Sequence, residues 1–334
     1  LNTKRWIALG IAAILLIGSI GVQFTGSLFT AGMNTANQTA GQQQQYQQEV
    51  IEEGVGNKIA VVELNGMIMD SPSSSVLGAG GYNHDRFLKK LEDVGEDSTV
   101  DGVILRMNTP GGGVVESAEI HDKVVEIQEE QNKPVYVSMG NQAASGGYYA
   151  AAPADKIVAH PATLTGSIGV IMQSYNFTEL ADQLGIDANT IKSGEFKDIG
   201  SATREMTEEE QNILQTIIDD MYNDFVQVIV EGRGMSESTV RQLADGRIYT
   251  GNQAVDNGLV DDLGSLSDTA EIMQEDFGWT DAQVVQYKSG FGLNNFFGGA
   301  VQSMMSSDEE GNLQAVREIL QQSSGPRPMY LYSK

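Results

Sequence analysis

The stretch KPVYVSMGNQAASGGYYAAAPADKIVAH, residues 133–160, decides the fold. Val135–Met139 is β-branched and aromatic, a strand. It runs into small residues, one serine and two glycines. An alanine-rich run then gives a short helix, and DKIVAH (155–160) turns apolar again. Strands joined through a helix run parallel. Upstream, KIAVVELNGMI (58–68) and VDGVILRMN (100–108) read as strands and RFLKKLEDV (86–94) as a helix. VESAEIHDKVVEIQEEQ (115–131) reads as a helix with Ile120, Val124 and Ile127 on one face, and GSIGVIM (166–172) as a further short strand. This βαβα order predicts an α/β fold, a mostly parallel sheet with covering helices.

Past residue 200 the pattern turns helical. Thr207 is placed to cap a long helix, and Glu210, three residues on, completes a capping box. Leu214, Ile217, Ile218, Met221, Phe225 and Val228 follow at helical spacing, a stripe suited to core or subunit contact. SESTVRQLADGR (236–247) and GNQAVDNG (251–258) read as two more helices, stopped by Gly246 and Gly258. Neither PGGG (110–113) nor ASGGYY (144–149) recurs, so the chain carries one catalytic unit.

The 334 residues include no cysteine, which excludes disulfides and thiolate metal sites. The three histidines, His84, His121 and His160, are not spaced as ligands, so no metal and no cofactor is expected. A formal net charge of −25 repels nucleic acid and anionic lipid. Lys4 and Arg5 precede an uncharged stretch that starts at Trp6, and the next charge is Glu49. As a helix, Trp6–Val22 spans about 26 Å and Trp6–Phe29 about 36 Å, bracketing a hydrocarbon core of about 30 Å. Residues 1–30 therefore read as a cytoplasmic N-terminus and transmembrane signal anchor, with a cleaved secretory signal as the competing reading. Both place the rest of the chain outside the cell. Residues 31–57, with their glutamine run, read as a polar spacer, 58–290 as the catalytic domain and 291–334 as a C-terminal extension. The end of that extension, SSGPRPMYLYSK (323–334), has prolines that resist helix and suits an extended path along a sheet edge or in the chain's own cleft.

A serine hydroxyl attacks only when a base takes its proton and donors meet the oxyanion that forms. Ser145 follows a strand and opens a helix, so backbone N–H groups and the helix dipole face an incoming carbonyl, and Gly146 and Gly147 let that backbone come close. TPGGG (109–113) also follows a strand and precedes a helix, so Gly112 or a neighbour can supply a second donor. Three residues compete as base. A Ser–His–Asp arrangement needs His160, but a lone histidine at a strand end is more often a surface or packing residue. Lys192 and Lys197 lie in a glycine-containing loop before the long helix. A lysine working near neutral pH must fall from about 10.4 to about 7, roughly 4.6 kcal/mol in favour of its neutral form. Burial favours that, and the adjacent carboxylate of Asp198 opposes it. Spacing alone does not choose between the two lysines.

VILRMNTPGGGVVESAEIHDKV (103–124), YVSMGNQAASGGYYAAAPADKIVAHPATLTGSIGVI (136–171), TIKSGEFKDIGSATREMTEEE (190–210) and GRIYTGNQAVDNGLVDDLG (246–264) together resemble signal peptide peptidase A of the single-unit, Gram-positive type, a Ser/Lys membrane peptidase family. The resemblance is close over residues 58–265. It implies Ser145 as nucleophile, Lys197 rather than Lys192 as general base, Ser167 as the group that orients the lysine, and the N–H groups of Gly112 and Gly146 as the oxyanion hole. It implies a spiral of ββα units akin to crotonase and the Clp protease proteolytic subunit, behind one transmembrane helix. It also implies closed homo-octamers whose serine and lysine come from neighbouring protomers. The expected reaction is hydrolysis of remnant signal peptides and other extended apolar peptides at the outer membrane face. A crotonase-type acyl-CoA enzyme and an inactive membrane scaffold are the alternatives.

Overall fold

The computed structural model describes residues 46–70, 82–289 and 328–332. The chain divides into two units, residues 1–47 and 48–334, and the second holds the elements discussed below apart from the first two residues of β1. Its first half runs β1 (Tyr46–Glu52), β2 (Lys58–Asn65), α1 (His84–Glu96), β3 (Gly102–Thr109), β4 (Gly111–Gly113), α2 (Val114–Glu129), β5 (Val135–Ala144), α3 (Gly146–Ala151) and β6 (Lys156–Ala159). There follow β7 (Leu164–Gly166), β8 (Ile171–Met172), α4 (Thr178–Gln183), α5 (Glu208–Arg233), α6 (Glu237–Leu243), β9 (Ile248–Thr250) and α7 (Gly251–Asp256). Last come β10 (Asp262–Leu263), α8 (Leu266–Phe277), β11 (Gln283–Ser289) and β12 (Pro328–Leu331).

The main sheet has the order β1-β11-β2-β3-β5-β6-β10. The pairs β11/β2, β2/β3, β3/β5, β5/β6 and β6/β10 are all parallel, as the alternation of strands with helices requires. Strands buried on both faces read as continuous apolar runs, and Ile59–Val62 and Val103–Leu105 are wholly enclosed. On one face α8 packs Ala270 and Met273 against Ile59, Val61, Ile104 and Val284. α1 and α2 lie against β2 and β5 and bury Phe87, Leu91, Ile120 and Val124. The expected stripe Ile120, Val124 and Ile127 is this buried face.

Two places depart from simple strand–helix alternation, and both serve the site. β3 does not pass directly to α2: Pro110 breaks it, and Gly111–Gly113 form a second short strand in a small separate sheet of order β4-β12-β8. β5 is long and bulged. Tyr136–Met139 pair with β6, whereas Gln142–Ala144 pair with β7, so its last residues lead away from the main sheet. The expected strand 166–172 is two strands, because Ser167 takes a positive φ of 51° and ends β7. Residues 46–52, within the stretch read as spacer, form β1, and residues 328–331 of the extension form β12. The expected membrane anchor, residues 1–30, lies outside the described residues. Among those described, no helix is long and apolar enough to cross a membrane.

Candidate active site

β5 delivers Ser145 to the start of α3. The register ends at Ala144 opposite Gly166, and the Ser145 N–H donates to the Gly166 carbonyl at 2.7 Å. Ser145 then turns at φ 54° and ψ −119°, a conformation that strains any residue with a side chain. Its hydroxyl is fully buried and has no hydrogen-bond partner among the described residues. An unpaired buried hydroxyl costs about 1–3 kcal/mol. Strain and an unsatisfied polar atom thus coincide on one side chain at a strand-to-helix elbow, the arrangement that presents a nucleophile.

The glycines around it are there for backbone approach. A methyl group at Gly146 would stand 2.3 Å from Ser117 Oγ, 3.1 Å from the Tyr330 carbonyl oxygen and 3.2 Å from the Gly112 nitrogen. At Gly111, whose φ is 93°, it would stand 2.3 Å from that same oxygen and 2.6 Å from the Gly146 nitrogen. The structure therefore gathers Gly112, Gly146 and a carbonyl of β12 around one point beside Ser145. β12 lies between β4 and β8 as an antiparallel strand, Tyr330 opposite Gly112 and Met329 opposite Ile171. The Tyr330 ring is buried against Tyr149, one helical turn after Ser145, and against Phe225, with centroids 5.1 and 4.7 Å away. Its hydroxyl donates to the Met221 carbonyl at 2.9 Å, and burial raises its pKa above the ordinary tyrosine value.

Ser167 follows Gly166 as Ser145 follows Ala144, so the two serines end neighbouring parallel strands side by side. The Ser167 N–H donates to the Arg247 carbonyl at 2.8 Å, and its side chain lines a cavity of about 350 Å³. Leu331, Ile218, Tyr222 and the carboxylates Asp219 and Asp245 are among the other residues that line it.

Lys197 lies elsewhere. The segment from β8 to α5 stands clear of the core: Tyr175 and Phe177 before α4, and Leu184, Ile186 and Ile191 on the loop after it, are exposed. Within that loop the Lys192 ammonium donates to the Asp198 carboxylate at 2.6 Å and to the Glu195 carbonyl at 2.7 Å. The Lys197 ammonium is exposed and has neither a hydrogen bond nor an ion pair among the described residues. The structure therefore brings together Ser145, Ser167, Gly112 and Gly146, and leaves Lys197 outside that group. His160 is exposed and accepts the Ala162 N–H on its ring nitrogen, with no bond to Ser145. Among the described residues no cluster of acidic or histidine side chains could hold a metal ion.

Sequence reasoning passed over the aromatic pocket of Tyr149 and Phe225. The double tyrosine after the glycines signalled it, but its third wall and its occupant come from chain positions far away.

A buried serine at a strained strand-to-helix elbow, with two glycine backbones close beside it on a parallel α/β sheet, suits a serine hydrolase, and comparison with known proteins establishes a serine peptidase. Residues 127–279 match the sequence profile of peptidase family S49. A protein of Enterococcus faecium provisionally named signal peptide peptidase SppA is 39% identical over 99% of this chain and 99% of its own. Protease 4 of Haemophilus influenzae is 38% identical over 66% of this chain and 35% of its own, and the chloroplastic serine protease SPPA of Arabidopsis thaliana 30% identical over 66% and 33%. The chain belongs to peptidase family S49, in its signal peptide peptidase A group.

Proposed function

We propose that this serine peptidase works through a Ser145/Lys197 dyad assembled between two copies of the chain. The observation that carries the reading is the pair of loose ends: a buried Ser145 hydroxyl with no partner and an exposed Lys197 ammonium with none. In this reading Lys197 Nζ of one protomer enters the cavity beside Ser167 of another, and Ser167 Oγ orients it. Once neutral there, the amine takes the Ser145 proton as Oγ attacks the peptide carbonyl. The oxyanion falls on the Gly112 and Gly146 N–H groups. The C–N bond breaks as Lys197 returns the proton to the leaving amine, and a water, deprotonated in the same way, releases the acyl group from Ser145.

Substrates bind as β12 does, as an added antiparallel strand between β4 and β8 with one large side chain against Tyr149 and Phe225. That mode takes extended apolar segments and rejects folded ones, which favours remnant signal peptides. Anchored by residues 1–30, with Lys4 and Arg5 on the cytoplasmic side, the catalytic part faces outward, and closed octamers bring each lysine to a neighbour's serine. The exposed loop from α4 to α5 and the open half of the α5 stripe supply apolar surface for that contact. An activated phosphonate tests the assignment. The reading predicts a mass adduct on Ser145 that Lys197→Ala slows by at least about a hundredfold. Equal labelling of Lys197→Ala and wild type, or labelling of another residue, would overturn it.

A further inference from the structure

The residue after Lys197 is Asp198, and in an unbraced loop its carboxylate would lie within reach of the ammonium and hold it charged. A base cannot work in that state. The structure shows where that carboxylate goes. Asp198 Oδ2 accepts from Arg204 Nε at 2.8 Å, and Oδ1 accepts from Arg204 Nη2 at 2.8 Å and from Lys192 Nζ at 2.6 Å. The same guanidinium also forks onto Glu210, donating from Nη1 to Oε2 at 2.8 Å and from Nη2 to Oε1 at 2.5 Å. Glu210 is buried in the capping box of α5, where it also accepts the Thr207 N–H at 2.9 Å. Arg204 thus ties the loop that carries Lys197 to the first turn of a long helix, through two bidentate pairs that lysine geometry could not make.

Resting on the dyad reading above, we infer that Arg204 is a positioning residue for the peptidase reaction: it holds the Asp198 carboxylate away from Lys197 and sets the angle at which the loop presents that amine. The contacts with Arg204 and Lys192 keep Asp198 ionised well below the usual carboxylate range, so its charge persists at all working pH values and must be neutralised by these two cations. The other carboxylates of the loop and helix start, Glu179, Asp182, Asp187, Glu195, Glu205, Glu208 and Glu209, are exposed to water and screened by it. At the receiving cavity the carboxylates are Asp219 and Asp245, and Asp245 is already paired with Arg247.

The test uses the membrane-extracted full chain and a quenched peptide, with kcat/KM followed across pH. Arg204→Gln frees Asp198, keeps Lys197 charged to higher pH and moves the acid limb of the profile up by about one unit, a tenfold loss at any pH on that limb. Adding Asp198→Asn to Arg204→Gln brings the limb back down, which a merely structural role would not do. Asp198→Asn alone leaves the acid limb in place, whatever it does to kcat, because Arg204 and Lys192 already compensate that charge. A limb unmoved in Arg204→Gln, or moved and not recovered in the double variant, overturns the inference. So does a limb that drops in Asp198→Asn alone. Lys197→Ala separates this from the dyad reading: inactive Lys197→Ala with an unmoved limb in Arg204→Gln sinks the role of Arg204 only, whereas fully active Lys197→Ala sinks both.

Discussion

Ser145 bears two burdens at once, a positive φ and an unpartnered buried hydroxyl, and the two are separable by substitution. Ser145→Ala removes the hydroxyl and keeps the strain; Ser145→Gly removes both. Thermal unfolding should therefore find Ser145→Gly the more stable of the two inactive variants by about 1 kcal/mol. Equal stability, or a less stable glycine variant, would show that the elbow is not strained. At this scale much could be read beforehand. The serine between small residues and the glycines of PGGG have local causes, namely a turn and a close approach. The φ of 51° at Ser167 could not be read, because GSIGVIM alternates like an uninterrupted strand and the break depends on the Arg247 carbonyl far along the chain. Nor could the fate of Asp198, which is decided by side-chain contacts across the loop.

At the scale of elements, the capping box of α5 was legible from Thr207 and Glu210, three residues apart, because caps are local chemistry. Its energetics follow pH in a definite sense. Arg204 first, then the Thr207 N–H, hold Glu210 down to about 2 from an ordinary 4.5. A carboxylate lowered by folding stabilises above its unfolded pKa and loses that contribution as pH falls through the folded one. The stability difference between wild type and Glu210→Gln should accordingly be constant above about pH 4.5 and shrink toward pH 2. A difference that does not change over that range would deny the pairing. β12 was only partly legible. Its prolines excluded helix, but its partners β4 and β8 lie more than 150 residues earlier, and no local pattern names them. Since β12 fills the strand position proposed for substrate, a chain stopped after Arg327 should show kcat/KM raised about tenfold on an added peptide, as expected when a tethered occupant is removed. Unchanged activity would mean that β12 and substrate use different places. Loss of the tail from wild type on incubation, but not from Ser145→Ala, would show that the strand is also cut there.

For the whole molecule, the parallel sheet was legible because consecutive strands separated by helices leave few topologies. What the single chain leaves undone was less so. Toward the C-terminal end of α5 the stripe residue Phe225 is buried, beside Val226 and Ile229 from outside the stripe, and Val228 is half-buried, whereas in the first half Leu214 and Ile218 are half-buried and Ile217 is exposed, next to an exposed Ile213. That first half of the stripe, the exposed loop before it and the free lysine within that loop are features that the shared-site reading assigns to a second copy. Mixing two dead enzymes tests this most directly. Ser145→Ala and Lys197→Ala, each inactive alone, are dissociated and reassembled together, and peptide hydrolysis is measured against each variant reassembled by itself. Sites shared between neighbours predict that the mixture regains a substantial fraction of wild-type activity. A mixture as inactive as its components, despite proven co-assembly, would contradict the account.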